Sequence, residues 1–75
     1  MPELSKDNAS QIAIEFLKKQ KGTDKIDVIM IEMKNGCWVV TGTTPIRFGE
    51  MVWPERFAVV VDSKGRVKST EYGLL

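Results

Sequence analysis

The sequence predicts a single small α+β domain, residues 1–75, in which one N-terminal helix packs on a four-stranded antiparallel meander sheet with a long bent central hairpin. Three observations lead there. Apolar residues between Asn8 and Lys21 recur every three or four positions, as they do along one side of a helix. The rest of the chain is rich in β-branched and aromatic residues, and three turn signals, Asn35-Gly36, Gly49-Glu50 and Asp62 to Arg66, divide it into four strands. When those turns set the register, the apolar residues of the strands fall on one common side.

In the helix, Ala9, Ile12, Ala13, Phe16 and Leu17 form the apolar side, while Gln11, Glu15, Lys18 and Lys19 fall elsewhere. Asn8 with Gln11 reads as an N-cap and its partner three residues on, with Asp7 and Ser5 as alternative caps. Gly22 ends the helix, and Lys18, Lys19 and Lys21 lie where the helix dipole favours cations. Glu15 and Lys19 have the spacing of an i,i+4 ion pair.

After the polar link Thr23-Asp24-Lys25, the segment Ile26 to Lys34 reads as a strand. Asn-Gly favours a two-residue hairpin because both residues tolerate positive φ. It pairs Lys34 with Cys37, Met33 with Trp38, Ile31 with Val40 and Ile29 with Gly42, so that Ile29, Ile31 and Met33 join Trp38 and Val40 on the core side.

Reading residues 41–54 as a loop would leave a connection far longer than the roughly 4–6 residues usual in compact domains. A turn at Gly49-Glu50, with glycine first, removes that difficulty. It pairs Phe48 with Met51, Ile46 with Trp53, Thr44 with Glu55, Gly42 with Phe57, Val40 with Val59 and Trp38 with Val61. Pro45 and Pro54 then face each other, and two ladder donors missing at one level predict a bend or a local break in a long arm with a mobile tip.

Phe57 to Val61 is the densest β-branched and aromatic run in the chain, the composition of a central strand. The closing turn, with Gly65 in the left-handed conformation, sets Asp62 opposite Arg66, Val61 opposite Val67, Val59 opposite Ser69 and Phe57 opposite Glu71. Lys68 to Tyr72 is a polar edge strand whose Lys and Glu discourage pairing with other molecules. Leu74 and Leu75 have no assigned role.

Seventy-five residues support one modest core. A single cysteine excludes an internal disulfide framework, and with no histidine a tetrahedral zinc site lacks its usual ligands. Eleven basic residues against ten acidic give no global field to recruit nucleic acid or an anionic membrane. No apolar stretch approaches a membrane span or the core of a signal peptide, so a cytoplasmic protein is expected.

Catalytic chemistry finds no constellation. Cys37 has no histidine to activate it, Asp62 and Glu50 are turn residues, and no carboxylate pair, phosphate-binding glycine loop or metal-ligand cluster is present. The expectation is a binding module, not an enzyme, with no cofactor and no metal. Two surfaces are candidates for partner binding. On the outer sheet face the registers gather Val28, Met30, Val39, Ala58 and Val60, bordered by Glu32, Lys34, Arg56, Asp62, Arg66 and Lys68, a half-apolar patch suited to a protein partner or to a homodimer. The arm carries Ile46, Phe48, Met51 and Trp53 on the core side, with Arg47 and Val52 behind. The favoured expectation is that the arm curls over the helix and completes the core. If a helix of roughly 20 Å falls short of it, these side chains form an exposed recognition site. Phe48 and Trp53 near Arg47 and Arg56 could stack on bases, but a nearly neutral chain argues against nucleic acid.

The helix Ala9-Ser10-Gln11-Ile12-Ala13-Ile14-Glu15-Phe16-Leu17, the strand Trp38-Val39-Val40 and the run from Phe57 through Val61-Asp62-Ser63-Lys64-Gly65-Arg66-Val67 together resemble the PepSY domain over about two thirds of the chain. The resemblance implies a cystatin-like arrangement and a role such as inhibiting or chaperoning a peptidase, or modulating a partner protein. It supplies no catalytic residue, and the proline-flanked arm is not part of its pattern.

Overall fold

A computed structural model describes residues 4–74. Helix α1 spans Lys6–Lys21, and four strands follow: β1 Asp27–Lys34, β2 Cys37–Phe48, β3 Met51–Val61 and β4 Val67–Leu74. They form one antiparallel sheet in the order β1-β2-β3-β4, with α1 on one face. Leu75 lies outside the described residues.

The helix starts two residues earlier than its apolar pattern suggests. Ser5, in extended conformation, is the N-cap: its Oγ accepts the Asn8 N–H at 3.1 Å, and its carbonyl accepts the Ala9 N–H at 2.9 Å. Asn8 therefore lies inside the first turn. At the other end Gly22 takes φ +64 and donates its N–H to the Lys18 carbonyl, a left-handed cap that a residue with a Cβ resists. The Glu15–Lys19 pair does not form; the ion pairs among the described residues are Lys21–Glu55 and Arg66–Asp62.

Ala9, Ala13 and Leu17 are buried against Val40, Phe57, Val59 and Val61 from the two central strands. Ile12, Phe16, Ile26, Val28, Ile31, Trp38 and Val67 pack around this centre. The small alanines let the helix approach the sheet closely, while Phe57 and Leu17 fill the space between. At the end away from the arm, Trp38 Nε1 donates to the Leu4 carbonyl at 2.9 Å and ties the N-terminal segment down.

The β2–β3 register is the expected one along its whole length, from Trp38 opposite Val61 to Phe48 opposite Met51. Asn35 (φ +50) and Gly36 (φ +78) make the first turn, and Gly49 (φ +61) leads the second. The outer pairings each depart from expectation by one bulge. In β1, Val28 pairs with Gly42 and Met30 with Thr41, so Ile29 is the extra residue. Ile29 is consequently 72 % exposed, and Val28 takes the core-side place. In β4 the register shifts between Val60 and Val61, so Ser69 faces Val60, Glu71 faces Ala58 and Tyr72 faces Phe57. Tyr72, not Glu71, thus shares the helix-side face, where Lys21 Nζ sits 4.0 Å from its ring centre.

The closing turn is held by Asp62. Its Oδ1 accepts the N–H groups of Lys64 and Arg66, both at 2.9 Å, and its Oδ2 accepts Arg66 Nε at 3.2 Å. The Arg66 backbone N–H, more than the adjacent guanidinium, holds this carboxyl below its ordinary value, against a smaller opposing effect of desolvation.

Candidate functional site: the hairpin arm

The sheet has four strands over only part of its length. β1 pairing ends with Asp27 opposite Thr43, and β4 pairing ends with Leu74 opposite Glu55. Beyond those levels β2 and β3 continue alone from Pro45 and Pro54 to the turn at Gly49-Glu50. Twelve residues of β2 extend about 40 Å, against about 24 Å for the sixteen of α1. The molecule measures 48 × 19 × 17 Å.

The register runs through the proline pair without a shift, so of the bend or local break expected there the break does not occur. Hydrogen-bond parity supplies the reason. Residues flanking a two-residue turn exchange ladder bonds, and the pairs then alternate between bonded and non-bonded. Phe48–Met51 is a bonded pair, so Ile46–Trp53 is bonded and Pro45–Pro54 is not. The missing N–H groups would have pointed away from the hairpin, Pro45 toward the lane of β1 and Pro54 toward the lane of β4. Pro54 falls one position past the end of β4 pairing and Pro45 two positions past the end of β1 pairing. The pair therefore leaves the arm's own ladder intact and removes the donors that would extend either lane.

The arm's base is pinned to the helix. Glu55, opposite Thr44, has its Oε1 out of contact with solvent and ion-paired with Lys21, the last residue of α1. Thr44 is buried beside it, and its Oγ1 has no hydrogen-bond partner among the described residues. Past this level the helix offers no cover. Phe48, Met51, Val52 and Trp53 are between 44 and 59 % exposed, so the arm does not curl back into the core as expected. Ile46, nearest the base, is half-buried.

The seven residues singled out from the sequence fall on two surfaces. Phe48, Met51 and Trp53 lie together on the helix-side face of the arm, with Arg47 opposite Val52 on its other face. Val39 and Val60 are direct cross-strand neighbours on the outer face of the sheet, and Met30, 48 % exposed, lies one row away opposite Thr41. Val28, assigned to that patch from sequence, belongs to the core side; Ala58 remains, and Cys37 lies half-buried and free on the same face. A shallow outer-face depression of about 390 Å³ lies between Met30, Thr41 and Arg56, beside the bulged Ile29.

One feature has no counterpart in the sequence reading. A cavity of about 520 Å³ lies between the end of the helix, with the link that follows it, and the bare edge of β2. Lys21 and Lys25 line one side and Pro45, Ile46 and Arg47 the other, with Val52 behind. It opens where β1 ends at Asp27. Among the described residues no three His, Cys, Asp or Glu side chains are placed to hold a metal ion, and no helix is long and apolar enough to cross a membrane.

Comparison with protein-family models, with curated proteins and with solved structures returns no match to this chain.

Proposed function

We propose that this chain is a non-catalytic protein-binding module whose working element is the hairpin arm, and that its partner is a peptidase or a peptidase-like protein that it inhibits or modulates. The observation that carries the reading is the bare arm: four large apolar side chains stand about half-exposed on a two-stranded projection that nothing else among the described residues covers. Such surface is unfavourable in water and favourable in a partner's cleft, where aromatic and methionine side chains contribute most. The ion pair at the base and the unbroken ladder hold the arm in shape before binding, which lowers the ordering cost of association. The PepSY resemblance supplies the direction toward peptidases.

The test is a titration of the chain into representative serine, cysteine, aspartic and metallo-peptidases while substrate hydrolysis is followed. Slowed hydrolysis in one class, relieved by the Phe48→Ser/Trp53→Ser double variant at unchanged thermal stability, supports the reading. Undiminished hydrolysis in every class removes the peptidase-directed role.

A second reading rests on the outer sheet face, where Met30, Val39, Ala58 and Val60 form a patch that the helix does not cover. There the chain is a homodimer or larger oligomer joined face to face, with structural or ligand-binding duty. Sedimentation equilibrium of the wild-type chain and of Val39→Glu/Val60→Lys decides it: a dimer that dissociates in the variant supports this reading, and a monomer at all concentrations removes it.

A further inference from the structure

The cavity beside β2 has the form of a strand lane with one closed end. β1 occupies the lane as far as Asp27, opposite Thr43. Among the described residues nothing fills the lane alongside Pro45, Ile46 and Arg47, which is open toward the arm's tip and closed at its base by Lys25 and the end of the helix. Odd-numbered residues of β2 direct their backbone polar groups into this lane, as Cys37, Val39 and Thr41 do toward β1. The vacant part thus offers the N–H and C=O of Arg47 and the C=O of Pro45, but no donor at Pro45.

From this pattern we infer that the lane receives the carboxyl-terminal end of an extended, apolar partner peptide, running antiparallel to β2 with its terminal carboxylate beside Lys25. This rests on the protein-binding reading above and names a class of partner segment for the edge of the arm. A peptide residue opposite Arg47 exchanges both backbone hydrogen bonds with it. Two residues on, the peptide N–H reaches the Pro45 carbonyl, while the peptide's own carbonyl oxygen faces a proline that cannot donate. An internal residue there would bury an unmatched acceptor. A terminal residue instead presents a carboxylate, which the ammonium of Lys25 can meet. Lys25 and Arg47 make no ion pair among the described residues, whereas Lys21 is already committed to Glu55. A hydrogen bond from the Lys25 N–H to Thr23 Oγ1 at 3.1 Å fixes the link at this end. Ile46 and Val52 supply apolar walls, one on each face of the lane, for the last two side chains.

The probe is an N-acetylated hexapeptide of alternating threonine and valine ending in valine, prepared as the free acid, as the C-terminal amide, and as an amide with aspartate last. Each is titrated into the ¹⁵N-labelled chain. The free acid is expected to move the Arg47 and Lys25 amide resonances and to bind about tenfold more tightly than the plain amide, equivalent to about 1.4 kcal/mol. Lys25→Gln, a change in an exposed link, is expected to bring the two to near parity with the fold intact. Equal binding of acid and amide, equal binding of the aspartate amide, or no movement at Arg47 overturns the inference. So do Arg47 shifts that grow with chain concentration alone, which would place a second copy in the lane. Movement confined to Phe48 and Trp53 would also overturn it while leaving the arm as a binding element, and the peptidase titration stands independently of every one of these results.

Discussion

At Gly42 the bulged strand crowds the central strand, and replacing it with alanine gives the sharpest test of this architecture. A Cβ there would overlap the Asp27 carbonyl oxygen outright and stand 2.8 Å from Phe57 Cζ and 2.9 Å from the Asp27 carbonyl carbon. Its φ is not in the positive region, so intrinsic preference alone would make alanine better in a strand by about 0.5–1 kcal/mol. The steric term has the opposite sign. Overpacking costs about 1–3 kcal/mol, and the upper end applies because a backbone carbonyl cannot rotate away as a side chain can. The net loss is then about 2 kcal/mol, or roughly 8–16 °C in Tm for a domain of this size. Thermal unfolding by circular dichroism measures it, with urea m-values confirming two-state behaviour. Gly73→Ala is the control, since a Cβ at Gly73 meets nothing within 4 Å and should be neutral or stabilising. A Gly42→Ala protein that melts at or above the wild type would refute both the bulge at Ile29 and the close approach of Asp27.

Thr44→Val removes a buried hydroxyl without a partner and should stabilise the fold by about 1 kcal/mol; a loss in urea unfolding would mean that the hydroxyl is satisfied after all. Lys21→Met strips the partly buried Glu55 of its cation and should cost about 1–3 kcal/mol, with a double-mutant cycle against Glu55→Gln returning a coupling that both variants share. Because the folded state holds the Asp62 pKa below its unfolded value, its stabilising effect is present above about pH 4 and lost as pH falls through the folded pKa. The midpoints of wild type and Asp62→Asn in urea should therefore converge between neutral pH and pH 2.5. Trp53→Ala should change stability by no more than about 1 kcal/mol, the size of a cross-strand pair with Ile46, and a loss of several kcal/mol would return the arm to the core.

The parts of the fold legible in the sequence are those where two independent constraints agree. The β2–β3 register follows from its turn chemistry and from the shared apolar parity of Trp38, Val40, Phe57, Val59 and Val61, and a slip of one residue would expose them all. The outer strands lack that redundancy. Val28-Ile29-Met30-Ile31 is apolar at every position, so parity cannot say which residue is extra, and only the absent side chain of Gly42 marks where the backbone can crowd in. In β4 the turn alone placed Glu71 opposite Phe57, and a shift of one residue puts Tyr72 there, with its ring under Lys21. The N-cap was ambiguous for a similar reason, since Ser5, Asp7 and Asn8 are all capping residues and the first apolar contact, Ala9, tolerates any of them. Both candidate surfaces were legible in the sequence, but whether the arm stands clear of the core was not, because the reach of the helix relative to the arm is a tertiary quantity.

The two prolines connect these results. Read as sequence, they weaken a strand; read through the parity of the ladder, they fall on positions of the hairpin where a missing donor leaves the hairpin itself whole. A glycine or a charged residue there would leave the outward N–H in place, and β1 or β4, or a strand from another molecule, could continue along the arm. Proline on both sides withholds the donor that a strand continuing along either lane would need. The same pair keeps the arm's ladder intact beyond the four-stranded sheet, and it leaves the lane beside Arg47 with acceptors on either side of a single donor. That asymmetry limits what can pair there to a short segment. The unbroken ladder of the arm and the missing donor in its edge lane are thus consequences of one local feature, two residues facing each other at positions 45 and 54.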